Sequence, residues 1–151
     1  MRIAGIYSFN NGEKVIRDKC PDLLREIESA INSVNAAVHK KKVSREKTMK
    51  GRMLFDPRSL NKGFKKAFKK LGWTTVRVPC AYSTNYYRSG YKPRPGNKGA
   101  FREMDFIKNK LGVEVQFGKY AFMVYNVCAK MTIFKNLMSL AYISDIPIHS
   151  P

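Results

Sequence analysis

This 151-residue sequence predicts an α/β fold, with helices flanking a sheet. Two segments of the first half repeat their apolar residues at intervals of three and four, as an amphipathic helix does. Three later segments alternate with period two, as half-buried strands do. The last two of these are separated by a short polar stretch, and a further apolar helix pattern follows them, so the sheet has helices available to cover it.

In residues 22–38, DLLREIESAINSVNAAV, Leu23, Leu24, Ile27, Ile31, Val34 and Val38 form one stripe. Pro21 suits the first helical turn, and Glu26 and Glu28 lie near the positive end of the helix. Glu26 reads as part of the solvated face rather than of a site across the core. The segment 39–52, HKKKVSREKTMKGR, reads as a basic loop, either solvated or ordered against a partner. Asp56 before Pro57 is a helix start, and Phe64, Phe68 and Leu71 form the stripe that follows. Lys62, Lys65, Lys66, Lys69 and Lys70 take the other faces, with Lys65 and Lys69 as candidate DNA contacts; a solvated charged face accounts for them equally.

TTVRVPC, residues 74–80, is a strand that ends at Pro79. The segment 81–100 mixes Tyr, Arg, Lys, Gly and Pro without a period, so it reads as a second basic loop, with Arg88, Lys92 and Arg94 as candidate DNA contacts. Residues 102–107 and 113–117 are two strands joined by a turn that contains Lys108, a further candidate for DNA contact. A helix follows along FGKYAFMVYNVCAKMTIFKN, with Lys119 and Lys130 as candidate DNA or dimer contacts and Cys128 as a core thiol. One last strand is expected near residues 140–143.

Composition narrows the partner. The net charge is +18, and residues 57–102 carry 12 basic residues and no acid. Such an imbalance repels itself in a compact chain and points to a polyanion, nucleic acid before an acidic membrane surface. A solubility adaptation is the plainer reading. No run approaches the roughly 20 apolar residues of a membrane span, and the N-terminus lacks the pattern of a secretory signal. Three scattered cysteines and two histidines form neither a disulfide framework nor a zinc motif, so a reducing cytoplasm is expected.

The acids gather instead in REMDFIKNKLGVEVQFG, residues 102–118. Period two puts Glu103 and Asp105 on one side of the first strand, with Met104 and Phe106 opposite. It also puts Glu114 and Gln116 on one side of the second strand, with Val113, Val115 and Phe117 on the other. Two close carboxylates in a basic chain suit a hard divalent cation that orients a phosphate oxygen, although salt bridges to neighbouring lysines explain them too.

Three matching stretches carry a resemblance: LFDP at 54–57, MDF at 104–106 and VEVQF at 113–117, with nine residues from Asp105 to Glu114. In these the chain is similar to the BglII/BstYI-like type II restriction endonucleases, within the PD-(D/E)XK nuclease superfamily, over roughly residues 53–135. The resemblance implies a restriction-endonuclease-like core, a mixed sheet flanked by helices, forming one nuclease domain over residues 1–151. It implies Mg²⁺ as cofactor, double-stranded DNA as substrate, no membrane partner, and a homodimer that cuts a GATC-centred site. Asp105 and Glu114 would be the metal-binding carboxylates, and the backbone carbonyl of Val115 a further ligand. Gln116 stands where many related nucleases carry lysine, and Glu103 is a supporting candidate. The family continues beyond its last helix with more strands and helices, so the chain is expected to be a fragment, a truncated product or a minimal variant. The reading from a different class is a non-catalytic basic DNA- or RNA-binding protein whose carboxylate hairpin is structural.

Overall fold

The structure, a computed structural model, describes residues 1–6, 8, 11–80, 87–92, 100–117, 125, 129–138 and 142–147. Helices α1 (Gly12–Lys19), α2 (Pro21–Ser33) and α3 (Pro57–Lys70) precede the main sheet, and α4 (Met131–Met138) interrupts it. Strands β1 (Lys40–Val43) and β2 (Met53–Phe55) form a separate antiparallel pair. The main sheet runs β3 (Thr74–Pro79), β4 (Phe101–Lys108), β5 (Leu111–Gln116), β6 (Tyr142–Pro147), in that spatial order. Its first three strands are antiparallel and β6 lies parallel to β5, with α4 in the crossover. The predicted mixed sheet with flanking helices is therefore the fold.

Both faces of the sheet are covered. On one, Leu23, Ile27 and Ile31 of α2 meet Leu60, Phe64 and Phe68 of α3 over Phe106, Leu111, Val113 and Val115. Phe68 stacks on Phe106 with ring centroids 4.2 Å apart and takes Trp73 edge-on at 5.5 Å. Such aromatic pairs add about 0.5–1.5 kcal/mol each beyond the area they bury. A second cluster, Met104, Ile107, Met131 and Phe134, joins β4 to α4.

Several elements differ from the sequence reading. Helix α2 stops at Ser33 rather than continuing to residue 38. Val34 is extended, and the Asn35 side chain accepts from the Ala37 N–H, which starts a short 3₁₀ turn instead of another α-helical turn. Helix α1 is absent from the sequence reading, because it buries no residue and so leaves no apolar stripe to read. The segment 39–52 contains strand β1 and a second 3₁₀ turn, and so is not a plain loop. The last strand lies at Tyr142–Pro147, later than expected. Most of the 81–100 loop and residues 118–124 and 126–128 of the expected helix, including Cys128, lie outside the described residues.

Candidate functional site

Strand β4 carries an irregularity at the centre of the candidate site. Thr74 faces Ile107 and Val76 faces Met104, so two steps along β3 match three along β4. The extra residue is a β-bulge, and it falls at Asp105 and Phe106. Its effect on packing is visible: Met104 and Ile107 share the cluster under α4, while Phe106 is buried against α3. Strict alternation puts Met104 and Phe106 on one face, and the bulge separates them. On β5 no such shift intervenes, and Val113 and Val115 are buried together with Phe117 packed beside them, as predicted.

The regular β4–β5 hairpin brings Asp105 and Glu114 together. The β4–β5 register covers Phe106↔Val113 through Lys108↔Leu111. One step further, side chains join the strands: the Val115 N–H donates to Asp105 Oδ2 at 3.0 Å, and the Asp105 N–H donates to Glu114 Oε2 at 3.3 Å. Each carboxylate thus grips the backbone of the opposite strand. Thr75 Oγ1 donates to the Asp105 carbonyl at 3.0 Å and fixes the bulge from the β3 side.

Burial of these acids perturbs them. Glu114 is 5% exposed. Loss of solvent, then the nearby Asp105 charge, push its pKa up to about 7, against hydrogen bonds from Lys130 and the Asp105 N–H and the Lys130 charge. Burial also raises the Asp105 pKa; the Val115 N–H and the charges of Lys130 and Lys65 oppose this, and Glu103 adds to it.

The sequence reading makes Lys130 a surface contact. It instead sits in a wider π-type turn just before α4 and donates to Glu114 Oε1 at 2.5 Å, with its side chain only 13% exposed. The sequence holds one weak sign of this, a lysine at the edge of an apolar helix face. Glu103 is engaged elsewhere, accepting from Arg77 Nε at 2.5 Å with Lys65 Nζ at 3.9 Å. Gln116 ends β5, half-buried, two residues beyond Glu114.

The remaining candidates scatter. Lys69 is exposed on α3, and Arg88 and Lys92 are exposed beyond β3. Arg94 and Lys119 lie outside the described residues. Lys108 is at the far end of the hairpin, where its ammonium donates to both Glu26 oxygens at 2.7 and 2.8 Å and to the Leu71 carbonyl at 2.7 Å. These bonds tie the ammonium to α2 and to the residue that follows α3. Glu26, expected on a solvated face, also accepts from Trp73 Nε1 at 2.8 Å. Burial works to raise the Glu26 pKa, but the Lys108 and Trp73 hydrogen bonds and the Lys108 charge lower it overall.

Among the described residues no group of three or more His, Cys, Asp or Glu side chains forms a metal cage. The pair itself nevertheless has the chemistry of a hard-cation site. Its donors are carboxylate oxygens, the buried Glu114 and half-buried Asp105 lie beside each other with raised pKa values, and Mg²⁺ commonly takes one or two carboxylates while keeping several waters.

The sequence model of one family, described as Restriction endonuclease BglII/BglIII, matches residues 4–145. The chain belongs to this family. A search of the curated proteins found no match. The family match is wider than the 53–135 resemblance read from motifs, and it takes in α1, α2 and the β1–β2 pair. Membership makes the chain a type II restriction endonuclease, a nuclease with DNA as its substrate. Restriction endonucleases of this kind generally use divalent metal ions. No helix among the described residues is long and apolar enough to cross a membrane.

Proposed function

We propose that this BglII-family chain is a Mg²⁺-dependent endonuclease that hydrolyses phosphodiester bonds of double-stranded DNA at Asp105, Glu114 and Gln116. The observation that carries the proposal is the reciprocal clasp of Asp105 and Glu114 at the β4 bulge. It holds two carboxylates side by side with their proton affinities raised, and a divalent cation relieves that arrangement.

Asp105, Glu114 and the Val115 carbonyl would hold the metal. When bound, Mg²⁺ supplies Lewis acidity that draws charge from the scissile phosphate and makes water more acidic. Gln116 cannot act as a charged clamp, so its amide orients water or a phosphate oxygen by hydrogen bonding. Lys130 supplies the positive charge that Gln116 lacks, from a helix turn rather than from the strand. Glu103 supports the site indirectly by holding Arg77 and Lys65 beside it. Water attacks phosphorus and gives a proton to solvent as the bond to the 3′ oxygen breaks; the 3′ oxygen takes a proton from solvent and a 5′ phosphate remains, a polarity that rests on the family resemblance. The GATC-centred site and the homodimer rest on the family resemblance alone.

A second reading has its own observation. The Lys130–Glu114 ion pair already satisfies one carboxylate, as a structural hairpin in a non-catalytic nucleic-acid-binding protein requires. Plasmid nicking by the wild type, Asp105→Ala and Glu114→Ala, with and without Mg²⁺, separates the two. A metal ligand that supplies several kcal/mol, at about 1.4 kcal/mol per tenfold, makes each substitution cost roughly a thousandfold in rate. Equal nicking by all three would place the chemistry elsewhere. DNA binding by all three without metal-dependent cleavage in the wild type would favour the binding module.

A further inference from the structure

The β1–β2 ribbon has no role in the site just described, and its composition is not that of a structural hairpin. Every residue of β1, Lys40–Val43, is exposed. Three consecutive lysines on β1 project to both faces, and the ribbon packs inward only through β2, where Phe55 meets the main core. Among the described residues no carboxylate pairs with Lys40, Lys41 or Lys42, and Lys40 lies over the Phe55 ring at 5.8 Å. Self-repulsion of this kind would hold a free loop open.

The backbone nonetheless closes on itself. Beyond the β1–β2 ladder, the Ser44 N–H donates to the Arg52 carbonyl at 2.9 Å and the Gly51 N–H donates to the Ser44 carbonyl at 3.0 Å. Gly51 has φ +80, which only glycine adopts without strain, so the closing turn is written into the sequence. Where the strands meet this turn, Val43 is paired with Met53, and both are exposed, 57% and 45%. An exposed apolar pair flanked along the two strands by Lys42 and Arg52 matches a partner with an anionic rim and a partly apolar floor. A DNA groove has that chemistry, with phosphates along its edges and base edges and thymine methyl groups within.

The root of the ribbon ties it to the candidate site. The Asp56 N–H donates to the His39 carbonyl at 2.8 Å, and His39 Nδ1 is 2.8 Å from Ser59 Oγ on α3. A Cβ on Gly63 would come within 3.1 Å of the His39 ring, so α3 and the ribbon root are packed at close range. From Ser59 to Lys65 is about 9 Å along the helix. Lys65 lies beside Glu103, two residues from Asp105. Helix α3 thus packs against the ribbon root at one end and, through Phe64 and Phe68, against the strands that carry the carboxylates.

We infer that the β1–β2 ribbon is a DNA-groove arm, with Lys40, Lys41, Lys42 and Arg52 against phosphates and the Val43–Met53 pair against base edges. The major groove is about 12 Å wide and admits a two-stranded ribbon. The inference rests on DNA as substrate but not on the metal site, so it is tested by binding without divalent metal, whatever the nicking assay returns.

The test is fluorescence anisotropy of a labelled DNA duplex with the full chain over a series of salt concentrations. Each lysine withdrawn from a phosphate lowers the slope of log K against log salt by about 0.9. Lys41→Gln/Lys42→Gln should reduce it by about 1 to 2, while the charge-matched Arg2→Gln/Lys14→Gln variant leaves it unchanged. Val43→Ser/Met53→Ser should weaken binding severalfold at every salt concentration with the slope retained. Equal slope changes in the two charge-removing variants, or none in the ribbon variant, would overturn the arm. Full affinity in the Ser variant would overturn the base-edge contact. Ribbon-dependent binding to anionic phospholipid vesicles with an unchanged DNA slope would assign the ribbon to a membrane surface instead.

Discussion

Glu114 holds its proton to a pKa of about 7, and burial and the Asp105 charge are the reasons. A metal ligand must give that proton up, so the two processes are linked. With one proton released near pH 7, Mg²⁺ affinity measured by calorimetry should rise about tenfold from pH 6 to pH 8. An affinity flat across that range would remove Glu114 from the ligand set. Lys130→Met deletes two influences that lower the Glu114 pKa, so the midpoint of the affinity curve should move to higher pH. The same proton affects stability in the metal-free protein. The folded pKa lies above the ordinary value of 4.5, so the contribution is full below pH 4.5 and is lost as pH rises through about 7. Asp105 shifts in the same direction. The metal-free Tm should therefore fall between about pH 5 and pH 8, and Glu114→Gln should flatten that part of the curve.

At the scale of elements, the β4–β5 hairpin has two ends with different partners. Its bulged end carries Asp105 and Glu114, while its turn end is tied to α2 by Lys108 and Glu26 and to the end of α3 by the Leu71 carbonyl. Glu26→Ala leaves the Trp73 N–H without its acceptor and Lys108 with one partner fewer, which should cost about 1–3 kcal/mol in urea unfolding. Metal affinity of the folded protein should not change; a weaker affinity at full stability would mean that this network positions the site. The α2 stripe as far as Val34, the Phe64–Phe68 stripe of α3 and the alternation of β3 are readable in the sequence, whereas Val38 is exposed and β5 buries Glu114 along with Val113 and Val115. The proximity of Asp105 and Glu114 is readable from the two strands and the short turn between them, whose register sets these residues opposite each other. The bulge is not, since Met104, Phe106 and Ile107 are all apolar and their order does not reveal which face each takes. The ribbon is hidden because KKKV has no apolar alternation, its strands being held by backbone bonds and a glycine turn. Lys130 is hidden because its partner lies 16 residues away and only the folding of α4 onto the sheet brings them together.

For the whole molecule, the number of carboxylate pairs sets what one chain can do to a duplex. The described residues bring together one pair, Asp105 and Glu114, which under the proposed function would serve one strand. The two strands of DNA present their phosphates in opposite directions, so a second cut at a symmetric position needs a second site related by a two-fold axis. A homodimer of this chain would provide one, and its DNA surfaces would then join across the axis. The strong positive charge of each copy, +18, opposes association until DNA neutralises it. Dimerisation should therefore depend on DNA. Sedimentation without DNA should show mainly monomer at micromolar protein, and a duplex carrying the cleavage site should yield a complex with two chains. Plasmid cleavage should follow the same dependence, with nicked circles accumulating at low protein and linear product rising more steeply than in proportion to concentration. Linear product that forms in direct proportion to protein, with only one chain on the duplex, would mean that a single site cuts both strands in turn.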